Sequence, residues 1–122
     1  MAGSNCGLGL EAARSLAKHG AIVTIACRSK GHGKQRPGFV DTSEFTAAFK
    51  LSGKPIHFLI NNAGMAACPK ALTSNGLEMQ LRGNHIGYFA PVTELRKILK
   101  TFWKAQNPSR VVTLSSYGAF LF

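Results

Sequence analysis

Apolar positions along this chain recur with two different periods, and the changes of period mark out its elements. Leu8, Ala12, Ala13, Leu16 and Ala17 fall on one helical face. The spacing predicts a helix over Leu10–His19, stopped by Gly20. Ala21–Cys27 is a nearly continuous apolar run rich in β-branched residues, which predicts a buried strand of a parallel sheet. Gly31, Gly33, Pro37 and Gly38 then break Ser29–Val40 into a loop. A short helix follows over Thr42–Leu51, with Phe45 and Phe49 at i, i+4 and either Asp41 or Thr42 as its N-cap. Pro55–Ile60 predicts a second buried strand, ended by the turn Asn61–Gly64. Leu77, Leu81, Tyr88, Val92, Leu95, Leu99 and Trp103 form a stripe at intervals of three, four or seven, so one long helix is expected from about Asn75 to Lys104. Asn75 and Glu78 have capping-box spacing at its start. Pro91 sits inside the stripe and predicts a kink, at a cost of roughly 3 kcal/mol unless the bend is built in. Arg110–Leu114 is a third strand, followed by Ser115 and Ser116.

Strands alternating with helices imply an α/β fold with a parallel sheet and right-handed crossovers. In such sheets ligands bind at the carboxyl ends of the strands. A chain of 122 residues, 45% hydrophobic, suits one domain or a piece of a larger one. No apolar run approaches the ~20 residues of a membrane span. The N-terminus lacks the basic start and apolar core of a signal peptide. Three cysteines without C-x-x-C spacing argue against a disulfide framework or a structural zinc site. A cytoplasmic or cytosol-facing location is therefore expected. The formal charge of +10 favours anionic partners, or simply keeps the chain soluble. Nucleic acid is not expected, because the charge is scattered and only one Trp and two Tyr are present.

Gly3, Gly7 and Gly9 cluster at a helix start. Small residues there let a backbone approach a pyrophosphate, and the free N–H groups of the first turn stabilise its charge. Other motifs follow in order: Ala26-Cys-Arg28, Leu59-Ile-Asn-Asn-Ala-Gly64, Leu72-Thr-Ser-Asn-Gly-Leu-Glu78, Asn84-His-Ile-Gly-Tyr-Phe89 and Ser109-Arg-Val-Val-Thr-Leu-Ser-Ser116. With Gly3-Ser-Asn-Cys-Gly-Leu-Gly9 they span nearly the whole chain. Together they resemble the short-chain dehydrogenase/reductase family, most closely its retinol-dehydrogenase and WW-domain-oxidoreductase-like branch.

The resemblance implies a Rossmann-like doubly wound sheet and hydride transfer between a nicotinamide cofactor, NADP or NAD, and an alcohol or carbonyl. It assigns Gly3, Ser4, Asn5, Gly7, Leu8 and Gly9 to the pyrophosphate loop. Arg28 matches the residue that meets the 2′-phosphate of NADP, or is a solvated loop charge. Asp41 matches an aspartate near the adenine, or caps the following helix. Asn61, Asn62, Ala63 and Gly64 match the turn that lines the adenosine site. Asn84 matches the asparagine that organises a proton relay, or satisfies backbone beside Gly87. Ser116, with Ser115 as the alternative, matches the serine that hydrogen-bonds the substrate oxygen. The family also pairs subunits through the long helix, which here implies a homo- or heterodimer.

The sequence departs from the family in three places. No Tyr-x-x-x-Lys pair follows Ser116, and Tyr117 has no lysine after it. That pair supplies the proton partner of hydride transfer. Only Met1-Ala2 precedes the glycine cluster, so family strand one is absent. Ser29–Val40 is too short to supply a helix and the third strand. The expectation is an incomplete Rossmann-like sheet over residues 1–122, lacking family strands one, three, six and seven. Strands two and four would then pair directly or leave a gap. A truncated member, inactive alone, is the reading that follows. The alternative is a noncatalytic module that pairs with a full-length homologue.

Overall fold

A computed structural model describes residues 4, 6–27, 42–66 and 68–116 of the chain. It is mixed α/β. Helix α1 spans Gly7–Lys18 and α2 spans Thr42–Leu51. Strand β1 covers Phe58–Asn61, and a short helix α3 covers Met79–Leu81. A π-helical turn, Arg82–Ile86, leads into helix α4, Gly87–Thr101, and strand β2 covers Arg110–Thr113.

Strands β1 and β2 form a two-stranded parallel sheet, with Phe58 opposite Arg110 and Asn61 opposite Thr113. The connection between them carries α4, the crossover that a parallel pair requires. Leu59 and Ile56 from the β1 region pack with Leu95 and Leu99 of α4 to form the core. Phe45 and Phe49 of α2 close over it. Their i, i+4 rings stand 6.1 Å apart and tilted, as the helical spacing predicts. A polar tie joins the same two helices: the hydroxyl of fully buried Thr46 donates to the Glu94 carboxylate, which Lys50 also approaches at 3.4 Å. Buried polar groups need such partners.

The structure corrects four expectations. Ala21–Cys27 is not a strand of the described sheet, and Ile22 is 93% exposed. Side-chain preference alone does not make a strand, and within this segment only Ala26 makes a β-bridge. The described sheet consists of β1 and β2 alone. The long helix is not continuous from Asn75. Residues 73–76 instead form a turn in which Gly76 N–H donates to Thr73 O, at 2.9 Å, and Gly76 takes φ +74°. Glu78, not Asn75, caps the helix: its carboxylate accepts from the N–H groups of Gln80 and Leu81 at 2.9 and 2.8 Å. At the other end the helix stops at Thr101, short of Lys104. The third strand forms as expected over Arg110–Thr113 and is exposed along its length. The expected Ser29–Val40 loop lies outside the described residues.

Candidate functional site

Parallel pairing sends both strands out at the same edge of the sheet. Asn61 ends β1 and Thr113 ends β2, directly opposite each other. Asn61 is 1% exposed, and its side-chain amide donates to the Thr113 hydroxyl at 3.2 Å. Leu114 N–H donates to Asn61 O at 3.0 Å, extending the ladder by one bond. Asn61 is therefore a strand residue that locks the two carboxyl ends together, rather than part of the turn. Asn62, Ala63 and Gly64 leave from this edge, Asn62 and Ala63 half-buried and Gly64 exposed. Ser116 leaves β2 from the same edge and is exposed.

Asn84 reaches this edge from the π-helical turn. Its side chain makes a two-way clamp on one residue: the amide donates to Met65 O at 2.7 Å, and its oxygen accepts from Met65 N–H at 2.9 Å. A side-chain amide carries both a donor and an acceptor, so it can replace the pairing a strand neighbour would give. The backbone it satisfies is that of Met65, just past Gly64, and not the backbone beside Gly87. A Cβ at Gly64 would stand 3.8 Å from the Asn84 oxygen, which is ordinary contact.

The π-helical turn that aims Asn84 has its own requirement. Gly87 N–H bonds back to Arg82 O. A Cβ at Gly87 would come within 3.1 Å of that same oxygen. The wider turn thus favours glycine at 87, a residue the sequence reading did not single out. A glycine and a proline inside one apolar helical stripe were the available signal.

The glycine loop is described in part. Gly3, Asn5, Arg28 and Asp41 lie outside the described residues. Ser4 is fully buried, Gly9 is buried, and Gly7 and Leu8 are exposed. Gly7 opens α1 with φ +55°, a left-handed conformation that other residues rarely take, and a Cβ there would meet nothing within 4 Å. The N-cap residue Cys6 makes no side-chain capping bond, and the first turn holds no acidic residue. A first turn that the Cys6 side chain leaves open, with space over a glycine, suits an anion such as a pyrophosphate. These residues fit the group as far as they are described.

Among the described residues, no group of His, Cys, Asp and Glu is arranged to hold a metal ion. No helix there is long and apolar enough to cross a membrane.

No protein-family model matches the chain, and no solved structure matches it. Curated relatives do. The chain is 35% identical to retinol dehydrogenase 11 of Mus musculus, over 98% of this chain and 43% of that protein. It is 37% identical to retinol dehydrogenase 12 of Bos taurus over the same shares. It is 33% identical to the WW domain-containing oxidoreductase of Gallus gallus, over 93% of this chain and 31% of that one. The chain thus spans less than half the length of these relatives. The match to the mouse protein runs over 139 positions, more than the chain's 122 residues, so that relative carries residues inside the matched region that this chain lacks.

Proposed function

We infer a function from this chain's homology to the short-chain dehydrogenase/reductases, the family of the retinol dehydrogenases and the WW domain-containing oxidoreductase. From that premise we propose that it binds a nicotinamide dinucleotide and carries part of the apparatus for hydride transfer to or from an alcohol or carbonyl. The observation that carries this reading is the Asn84 clamp on Met65, which fixes the Asn62–Gly64 turn at the carboxyl edge of a parallel sheet.

Each residue then has a physical task. Gly7, Leu8 and Gly9 present first-turn N–H groups to the pyrophosphate, with Gly3, Ser4 and Asn5 leading into them. Asn62, Ala63 and Gly64 line the adenosine side, and Asn61 holds that edge by its bond to Thr113. Arg28 favours NADP over NAD, because a guanidinium can meet a 2′-phosphate. Asp41 stands near the adenine in this reading. Asn84 is a positioning residue that acts through Met65. Ser116 orients the substrate oxygen. The bound nicotinamide supplies or accepts the hydride. These 122 residues offer no Tyr-x-x-x-Lys pair after Ser116, so they lack the group that moves the matching proton. Binding without turnover is the expected behaviour of these 122 residues taken alone.

Pairing through the long helix has less behind it. The outward side of α4 carries exposed Arg96, Lys97 and Lys100, which repel in a pair of identical chains.

The test is a fluorescence titration of the chain with NADPH and NADH, its folding checked by circular dichroism. Saturable binding is expected, with Arg28→Ala weakening NADPH more than NADH and no oxidation of NADPH when a retinoid aldehyde is added. A folded chain that binds neither nucleotide overturns the proposal.

A further inference from the structure

We propose that the groove between α4 and β2 binds an amphipathic anion, a single alkyl chain ending in a carboxylate. Val92, Leu99, Trp103 and Val111 give this groove an apolar lining around a cavity of about 280 Å³. Arg96 and Lys100 complete its wall from α4. They are four residues apart and so stand one turn above each other on one side of the helix. Neither forms an ion pair among the described residues, and no acidic side chain lines the groove. Trp103 is 55% exposed and Val111 44% exposed, so apolar surface lies open beside two cations.

Three features select the occupant. The first is charge: two unneutralised cations beside apolar surface complement one anionic head with an apolar tail. A second copy of this chain is disfavoured, because each copy carries +10. The second is size. The cavity falls at or below the lower end of the range for drug-sized ligands, which suits one alkyl chain rather than a dinucleotide. The third is position. Val111 and the preceding Ser109 lie at the amino end of β2, whereas Ser116 and the Asn62–Gly64 turn leave from the carboxyl edge. Strand alternation puts residues 109 and 111 on one face, toward α4. The groove is therefore separate from the dinucleotide site proposed above.

Trp103 is the only tryptophan, so its emission reports on this groove directly. The experiment titrates the chain with decanoate below its micellar range. Decyltrimethylammonium serves as the control of opposite charge, and acetate as the control without a tail. The expected result is a saturable blue shift with decanoate alone. In Arg96→Glu/Lys100→Glu, with an unchanged circular dichroism spectrum, affinity should fall by about tenfold or more. Should that variant lose its fold, Arg96→Met/Lys100→Met carries the same expectation. No saturable shift with decanoate overturns the proposal. So does an equal response to the cationic amphiphile, an undiminished affinity in a folded variant, or displacement by an acidic amphipathic peptide but not by decanoate.

Discussion

Asn84 shows how much one side chain can be asked to do. It spends both halves of its amide on the backbone of Met65, 19 residues earlier in the chain. Replacing it with Ala leaves a donor and an acceptor unpaired in a half-buried place. The expected cost is roughly 1–3 kcal/mol, read as a lower midpoint in urea unfolding. A midpoint unchanged within error would mean the clamp is not energetically used. The importance of Asn84 was legible in its motif, but its partner was not, because Met65 lies across a turn that no helical or strand period describes. Glu78 teaches a related lesson. Its distance from Asn75 suggested a reciprocal box, yet Gly76 bends the chain between them and Glu78 caps alone. The N–H groups of Gln80, then Leu81, hold its carboxyl below the ordinary carboxylate value. A depressed value in the folded state means the cap stabilises above the unfolded pKa and is lost as pH falls through the folded one. Glu78→Gln should therefore flatten the acid limb of a pH–stability curve, and an unaltered limb would contradict the cap.

Among the elements, α4 is the one on which the others depend. It lies in the crossover between the two strands and supplies half the core. Leu95 has no exposed surface at all. Leu95→Ala should cost roughly 2–5 kcal/mol, a large share of the stability of a small domain. Loss of a cooperative thermal melt in that variant is the expected readout, and a wild-type-like melt would show that the core lies elsewhere. The apolar stripe made α4 legible, and the Phe45/Phe49 pair made α2 legible, because helices carry their own period. The π-helical turn was not legible, since the same stripe runs through it without a break. Pro91 was read as a kink. The structure continues α4 through it, buried, one turn beyond the widened segment. Strand propensity was a weaker guide than helical period. Arg110–Thr113 found β1, while the equally apolar Ala21–Cys27 joined no described strand.

At the scale of the whole molecule, a small sheet leaves a good deal of apolar surface uncovered. Leu8, Ile22, Leu51 and Phe89 are each at least 70% exposed, and β2 is open along its length. Exposed apolar surface of this kind marks contact sites. The likeness to short-chain dehydrogenase/reductases was legible because short motifs recur in order, and the curated relatives bear it out. The placing of individual site residues was not legible in the same way, because Asn62 and Ser116 meet at one edge only through the parallel pairing of β1 with β2, which no sequence period shows. The proposed function requires the glycine-opened end of α1 and the carboxyl edge of the sheet to form one dinucleotide site. The most direct test is a backbone amide NMR titration of the chain with NADPH. Saturable shifts are expected at Gly7–Gly9 and Asn62–Gly64 together, with the amides around Trp103 unmoved. Shifts at only one of the two segments, or at neither in a folded chain, would contradict it.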